Sequence, residues 1–238
     1  MMIVNVLKRI FKLLIDFFLP RRCVVCNSRL HEGEHVVCSR CLIENAMCGV
    51  FDDSNDNAML RGVLGCGDIV RANALFHFHP KSEMARLIYK MKYLGRWDIG
   101  IYMGRHAARV FQSQGFFDGV DVIVPVPLTR KRRCQRGYNQ SEMIAEGISE
   151  ITGIPIEKKS LKRSRFSESQ THLRGEQRLA NVAGAFSVDD ASKLDNKHIL
   201  LVDDIFTTGA TLSACVREIS SKAVGTRLSI MTLGLTKS

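Results

Sequence analysis

The stretch that decides the fold is Ile199-Leu200-Leu201-Val202-Asp203-Asp204-Ile205-Phe206-Thr207-Thr208-Gly209-Ala210-Thr211. Four apolar residues lead into two carboxylates, and this short apolar run predicts a parallel strand that is buried on both faces. A loop of small and hydroxyl side chains follows, and a helix is predicted directly after it from the apolar spacing of Leu212, Val216 and Ile219. The order is therefore strand, loop and helix, with both aspartates at the carboxyl end of the strand.

The chemistry of this stretch suits a phosphorylated ribose. Backbone amides at a helix N-terminus favour an anion, and the threonine hydroxyls of the loop add donors for phosphate oxygens. Asp203 and Asp204 repel each other unless a polyol or a cation lies between them, and ribose hydroxyls with a magnesium ion meet that need. The alternative is an ordinary strand end with two solvated aspartates and a turn rich in threonine.

The stretch resembles the phosphoribosyl pyrophosphate (PRPP) binding motif of type I phosphoribosyltransferases. The resemblance implies an α/β fold of that class, a Rossmann-like parallel sheet with helices on both faces. It also implies that Asp203 and Asp204 hold the ribose hydroxyls of magnesium-bound PRPP. The residues implied to cradle the 5′-phosphate are Thr207, Thr208, Gly209, Ala210 and Thr211.

Composition sets the broad class. A chain of 238 residues that is 45% hydrophobic can bury one full α/β core with room for a small appendage. The net charge of +10 favours an anionic partner, either nucleic acid or polyphosphate, although solubility alone is an alternative reason for it. Of the eight cysteines, four form a metal pattern and the others are scattered, which favours a reducing cytoplasm over a secreted disulfide scaffold.

Two CxxC turns predict a structural zinc site with the ligands Cys23, Cys26, Cys38 and Cys41. Each turn aims two thiolates at one point, and two turns complete a tetrahedral set with no open position for a substrate. A redox dithiol is the alternative, and it would need a single CxxC that follows a strand and opens a helix. His31 and His35 lie between the turns and could replace a cysteine, but solvated loop histidines are the simpler interpretation; Cys48 and Cys66 are interpreted as buried thiols.

The N-terminal residues 1–19 are apolar but interrupted by charges, so they predict an amphipathic helix rather than a signal peptide or a stable membrane span. Peripheral attachment to a membrane is the alternative. The predicted organisation is a helix and zinc-binding module over 1–50, a polar linker over 51–68 and a phosphoribosyltransferase-like domain over 69–238.

Two basic segments are candidates for contact with a diphosphate. A central strand predicted over 121–128 runs into a basic turn, and in a parallel sheet this turn would face the acidic loop at the carboxyl ends of the strands. Arginine binds phosphate oxygens bidentately, so the turn predicts a pyrophosphate site, with a solvated basic turn as the alternative; its candidates are Arg130, Arg132, Arg133 and Arg136. A polar, aperiodic segment over 161–174 predicts a mobile lid, on which the leaving charge would be stabilised by Arg163, Arg165 or Arg174.

The chain resembles the ComF family of competence proteins over essentially its whole length. The resemblance rests on the paired CxxC, on the threonine loop after Val202-Asp203-Asp204, and on two further motifs: Val124-Pro125-Val126-Pro127-Leu128 and Arg136-Gly137-Tyr138-Asn139-Gln140. It implies a zinc module joined to a phosphoribosyltransferase fold and a role in the uptake of transforming single-stranded DNA. Cys48 and Cys66 form no further CxxC turn, in contrast to longer members.

Three functions follow from these features. The first is a PRPP-binding protein that acts in DNA uptake with single-stranded DNA, for which Phe166, Tyr138 and Tyr93 are candidates to stack a base, with packing as the alternative role. The second is an active phosphoribosyltransferase, in which a nucleobase displaces pyrophosphate from magnesium-PRPP. The third is a scaffold whose zinc module recruits another component of DNA uptake, such as a helicase. The sequence identifies no base pocket, so it leaves turnover open.

Overall fold

The computed structural model describes residues 20–45, 57–163 and 184–236. Within these ranges the strands are β1 (Ile69–Phe78), β2 (Val122–Pro125), β3 (Leu161–Arg163), β4 (Phe186–Val188), β5 (His198–Phe206) and β6 (Arg227–Thr236). The α-helices are α1 (Ser39–Asn45), α2 (Ala58–Gly62), α3 (Glu83–Tyr93), α4 (Trp97–Gln112), α5 (Arg130–Arg136), α6 (Gln140–Thr152) and α7 (Ala210–Lys222).

The main sheet has the strand order β1-β6-β5-β2, and all of its neighbouring strands are parallel. The predicted buried strand is confirmed, because Ile199, Leu200, Leu201 and Val202 of β5 are fully buried. Alternate side chains point to opposite faces of a strand. Leu200 and Val202 accordingly join the apolar layer that contains α3, α4 and α6, while Ile199 and Leu201 join the layer that contains α2 and α7.

The helices α4 and α6 approach each other backbone to backbone. A Cβ atom added at Gly147 would lie 2.1 Å from the carbonyl oxygen of Ile101, and one added at Gly104 would lie 2.2 Å from that of Ile144. Such distances leave no room for a side chain at the crossing. The glycines therefore fix the position of α6 relative to the sheet.

Strand β2 differs from the prediction in place and length. It was expected to be a central strand over 121–128, but it covers Val122–Pro125 and ends the strand order of the main sheet. Beyond it, Ile123 makes a single parallel bridge with Ile156. Sequence hydrophobicity did not reveal this position, because helices and the residues around 156 bury β2 as fully as a central strand.

Two segments that were interpreted as irregular contain regular structure. The linker predicted over 51–68 falls partly outside the described residues, but its second half contains α2, which buries Met59 against the main core. Asn57 caps this helix, since its side chain accepts a hydrogen bond from the amide of Leu60 at 2.9 Å. The start of the predicted lid is β3, which pairs antiparallel with β4. Both elements are too short for a periodic pattern, which is why the sequence did not show them.

The cysteine-containing segment packs directly on the main domain. The guanidinium of Arg86 in α3 donates to the carbonyl of Val25 at 3.2 Å, and the hydroxyl of Tyr102 in α4 donates to the carbonyl of Val37 at 3.5 Å. Val24, Val25 and Val37 belong to the same apolar cluster as the inward side chains of α3 and α4. This segment is thus continuous with the core of the α/β domain.

Other predicted features vary in outcome. The sequence also predicts helices over 98–112 and after Asn139, and both are confirmed as α4 and α6. Gly153 ends α6 in the left-handed region with φ 75°. The predicted N-terminal helix over 1–19 and Cys48 lie outside the described residues. No helix in the described ranges has the length and apolarity needed to cross a membrane.

The α4–α6 crossing generates a test of packing. We expect Gly147→Ala to lower the free energy of unfolding by about 1–3 kcal/mol, because the added methyl group forces the two backbones apart. In an uncrowded helix the same change would instead stabilise the protein by about 1 kcal/mol. The measurement is urea denaturation. Glu150→Ala serves as the control, because Glu150 lies on α6 as Gly147 does and the change removes only an exposed ion pair with Arg105 of α4. A Gly147→Ala variant that is more stable than the wild type would contradict the close packing of α4 and α6.

Candidate functional site

Asp203 and Asp204 lie in the last part of β5, which continues beyond the predicted apolar run to Phe206, and each carboxylate has a different set of partners. The Oδ1 atom of Asp203 accepts hydrogen bonds from the Ser141 hydroxyl at 2.9 Å and from the Asp204 amide at 2.8 Å. The Oδ1 atom of Asp204 lies 2.9 Å from the ammonium nitrogen of Lys92. Asp204 is buried, with 9% of its surface exposed. The two acids are therefore held by residues of α6 and α3.

The electrostatics of the pair favour a proton on Asp203. Burial of the carboxyl group, together with the adjacent charge of Asp204, raises the pKa of Asp203 to about 7 from its ordinary value of 3.8. The hydrogen bonds from Ser141 and from the Asp204 amide, and the more distant charge of Lys92, act in the opposite direction. A bound cation or hydroxyl donor would favour the ionised form of this carboxyl group.

The predicted loop after β5 leads directly into α7, as expected. Thr207 and Thr208 are exposed, while Gly209 is buried and adopts φ 77° as the residue that caps α7. A Cβ atom at Gly209 would lie 2.7 Å from the Phe206 ring and 2.8 Å from the carbonyl oxygen of Gly62. Only glycine fits both this backbone conformation and this close approach. Gly209 provides no side-chain cap for α7, and the first amides of an α-helix have no acceptor within the helix.

The basic cluster after β2 is a helix, whereas a turn was predicted. Thr129 caps α5 by accepting from the amide of Arg132 at 3.3 Å, and Gly137 ends it with φ 80°. Residues with long, unbranched side chains form helices well, and a capping threonine and a terminal glycine supply the boundaries. The prediction weighed the charge of this segment and overlooked its boundary residues.

The four arginines of α5 have different surroundings. Arg130 and Arg132 are exposed. Arg133 forms a bidentate pair with Glu142, with nitrogen–oxygen distances of 2.6 and 3.2 Å. Arg136 donates to the Gln140 side chain at 2.8 Å, and its guanidinium lies 5.4 Å from the centre of the Tyr93 ring. Arg133 thereby ties α5 to the first turn of α6, the turn that also carries Ser141.

The three arginines proposed for the lid are only partly described. Arg163 is the last residue of β3, and its guanidinium lies 5.1 Å from the centre of the Phe186 ring. Arg165 and Arg174 lie outside the described residues, as does Phe166.

Sequence reasoning missed two residues that contact the acidic pair, Lys92 and Ser141. Lys92 lies in the last turn of α3, where a lysine is common on solvent-exposed faces of helices. Ser141 is the second residue of α6, two positions after the capping residue Asn139, where a serine is ordinary near a helix N-terminus. Neither position carries a local signal, because only the packing of α3 and α6 on the sheet brings these side chains to β5.

The four cysteines form a compact cluster whose Sγ atoms all lie within 4.8 Å of one another. Cys26 and Cys38 have a sulfur–sulfur distance of 3.7 Å. Tetrahedral zinc with Zn–S bonds of about 2.3 Å requires about 3.8 Å, so the donor set and its spacing fit that metal. The Cys38 amide points to the sulfur of Cys23 at 3.4 Å, and the hydroxyl of Ser28 lowers the pKa of Cys26 to about 6. His31 and His35 are exposed and take no part in the cluster.

Several known proteins are similar to this chain. Competence protein ComFC of Bacillus subtilis is 30% identical over 211 residues, which cover 89% of this chain and 82% of that protein. Competence protein F of Haemophilus influenzae is 26% identical over 212 residues, covering 82% and 89% respectively. DNA utilization protein YhgH of Escherichia coli K12 is 28% identical over 137 residues, and the match spans 55% of this chain and 58% of that protein.

The chain belongs to the ComF family. This confirms the resemblance seen in the sequence, although no family model matches the chain. The fold expected from that resemblance is the fold observed, with a four-cysteine module next to a parallel sheet that has helices on both faces.

Two solved structures of phosphoribosyl-handling enzymes are more weakly similar. Glutamine PRPP amidotransferase from B. subtilis is 21% identical with a TM-score of 0.40, and the match covers 60% of this chain and 30% of that one. Purine phosphoribosyltransferase from Pyrococcus horikoshii is 18% identical with a TM-score of 0.36, covering 56% and 74%.

The pKa of Asp203 predicts how stability varies with pH. Between its ordinary pKa of 3.8 and the raised value of about 7, the folded state binds more protons than the unfolded state. The free energy of unfolding therefore falls as pH rises through this window, by about 1–3 kcal/mol between pH 5 and pH 8 from this group alone. We expect Asp203→Asn to remove most of that decrease in chemical denaturation without divalent cations.

Asp189→Asn is the matched control, because Lys162 holds the pKa of Asp189 below its ordinary value and so outside this window. If the free energy of unfolding changes with pH in the same way for Asp203→Asn and the wild type from pH 5 to pH 8, the raised pKa of Asp203 is wrong.

Proposed function

We propose that this chain is a PRPP-binding protein of phosphoribosyltransferase type that acts on single-stranded DNA during DNA uptake. The observation that carries the proposal is the placement of an acidic pair at the end of β5 next to a loop that opens α7 with no side-chain cap. This arrangement supplies both halves of a phosphorylated ribose site, carboxylates for hydroxyl groups and amides for a phosphate.

Each half of the site has residues suited to its part of the ligand. The proposed acceptors for the ribose hydroxyls are the carboxylates of Asp203 and Asp204, where Ser141 and Lys92 hold them in place. The proposed phosphate cradle is the loop of Thr207, Thr208, Gly209, Ala210 and Thr211. Magnesium bound with PRPP would supply positive charge next to the carboxylates, and oxygen ligands of this kind suit that ion.

We place the pyrophosphate of the ligand towards α5. Arg130 and Arg132 are exposed and can turn to an anion, while Arg133 is already oriented by Glu142. Arg136 completes the candidate set. If turnover occurs, Arg163, Arg165 and Arg174 are proposed to stabilise the charge of the leaving pyrophosphate.

The relatives supply the cellular context of the proposal. Two of them are named competence proteins and a third is named a DNA utilization protein. The net charge of +10 supports a nucleic-acid partner, because neutralising phosphates dominates the affinity of DNA-binding proteins. We also propose a protein partner from the DNA-uptake machinery, such as a helicase.

The four-cysteine cluster is proposed to bind a structural zinc ion. The donor set is complete with four thiolates, which matches a site that holds structure rather than one that binds substrate. The proposed division remains an N-terminal helix and zinc-binding module over 1–50, a linker over 51–68 and a phosphoribosyltransferase-like domain over 69–238. None of the seven described cysteines forms a disulfide, which supports a reducing cytoplasmic location.

Substitution of the acidic pair tests ligand binding. We expect Asp203→Asn/Asp204→Asn to weaken the binding of magnesium-PRPP by at least about 100-fold, because two charged acceptors of ribose hydroxyls become neutral. Isothermal titration calorimetry measures this affinity. Asp189→Asn/Asp190→Asn changes an adjacent, exposed aspartate pair after β4 and should bind as the wild type does. Unchanged affinity in the Asp203/Asp204 variant would contradict the central assignment.

Pyrophosphate release separates a ligand-binding protein from an active transferase. The purified protein is supplied with magnesium-PRPP and each common purine and pyrimidine base in turn. The proposal expects binding of PRPP without release above the level of the double Asn variant. Release with one base, lost in that variant, would instead favour the active nucleobase phosphoribosyltransferase.

Removal of the metal tests the structural role of the cysteine cluster. We expect a chelator, or Cys38→Ser, to lower the free energy of unfolding by several kcal/mol. The reason is that metal binding stabilises only the folded state, and without the metal the four cysteines are left buried next to one another with no ion to hold them. Thermal unfolding and the zinc content of the purified protein are measured together. Cys134→Ser, at an exposed cysteine outside the cluster, should change neither quantity. Full stability in the metal-free protein would rule out a structural ion.

A further inference from the structure

Three aromatic residues form an exposed surface beside the candidate site, and we call it the aromatic platform. It consists of Tyr89, Tyr93 and Trp97, whose exposed fractions are 56%, 63% and 53%. Leu94 lies between them in sequence and is 57% exposed. Large apolar side chains that cluster at a surface often mark a site of interaction.

The local structure explains why these rings lie together. Tyr89 and Tyr93 are one helical turn apart on α3, and their ring centres are separated by 5.1 Å with an interplanar angle of 42°. Gly95 then turns the chain with φ 66°, and Trp97 begins α4. Because the two rings are tilted and not stacked face to face, part of each ring face stays exposed to solvent.

Positive charge surrounds the platform. The guanidinium of Arg136 lies 5.4 Å from the centre of the Tyr93 ring, so α5 borders the platform on one side. Lys90 and Lys92 lie on the same helix as the two tyrosines. Among nearby acids, Asp98 is paired with Arg96, and the nitrogen–oxygen distance is 2.7 Å.

The platform also adjoins the acidic pair. Lys92, which lies 2.9 Å from Asp204, immediately precedes Tyr93 in α3. Tyr138, by contrast, is half-buried, and its hydroxyl donates to the Met91 carbonyl, so it acts as a packing residue. The platform therefore contains Tyr93 from the sequence candidates and two residues that the sequence did not single out.

We propose that the aromatic platform stacks bases of single-stranded DNA whose phosphates contact α5. Aromatic faces next to a cationic surface are the combination that binds single strands without sequence preference. A purely apolar partner would not use the positive charge of Arg136 next to the Tyr93 ring, whereas single-stranded DNA brings both bases for the rings and phosphates for the cations. The inference deepens the proposed function and rests on it.

Trp97 offers a direct test, because it is the single tryptophan of the chain. The probe is oligothymidylate, titrated into the full-length, zinc-loaded protein while intrinsic fluorescence and the anisotropy of a 5′-labelled strand are recorded. We expect tryptophan fluorescence to be quenched in step with the anisotropy change. Tyr89→Ala and Tyr93→Ala should each weaken binding by about tenfold, since base stacking on one aromatic ring is worth that order of affinity.

Conservative and matched variants separate stacking from folding. Tyr93→Phe keeps a ring and should retain affinity to within about twofold, while Val224→Ala, at an exposed apolar residue on another surface, should bind as the wild type does. The dependence of affinity on salt should stay unchanged in the tyrosine variants and become shallower in Arg130→Ala/Arg132→Ala, because only the latter removes phosphate contacts.

The outcomes are distinguishable. If the wild type does not bind oligothymidylate, the proposed function in DNA handling fails and the platform proposal with it. If the wild type binds but the tyrosine variants bind equally well, or Trp97 fluorescence does not respond, only the platform proposal is overturned. It is also overturned if the alanine variants instead convert a dimer to a monomer in sedimentation, since the surface would then join two copies of the chain.

Discussion

Two adjacent carboxylates at the end of a buried strand are the constraint on which the rest of the structure depends. Asp203 and Asp204 follow four fully buried residues, so neither side chain can move away from the other by shifting the strand. Their repulsion is offset by neighbours, the hydroxyl of Ser141 on one side and the ammonium of Lys92 on the other. An acidic pair with this support is poised for a ligand that brings hydroxyl groups and a cation.

The packing of α3 and α6 on the sheet brings Lys92 and Ser141 to β5. The glycines at the crossing of α4 and α6 allow backbone contact, and this holds the start of α6, with Ser141, against the sheet. On the opposite layer, α2 lies under the loop, where Gly62 approaches both the Phe206 ring and Gly209. These close contacts in the core therefore also hold the start of α6 and the backbone of the loop in position around the candidate site.

The cysteine module is part of this arrangement rather than a separate appendage. It contacts α3 and α4 through Arg86 and Tyr102, and α3 carries Lys92 together with the two tyrosines of the aromatic platform. One helix, α3, therefore contacts both the cysteine module and the acidic pair.

The sequence by itself determined the strand, loop and helix around Asp203 and Asp204, the cysteine cluster, and the family. These features depend on residues close together along the chain, whose spacing alone limits their structure. Tertiary structure decided what surrounds them. It brought the ammonium of Lys92 and the hydroxyl of Ser141 to the two carboxylates. Such contacts join residues up to 112 positions apart, as between Lys92 and Asp204, and local sequence patterns carry no record of which distant surfaces will meet.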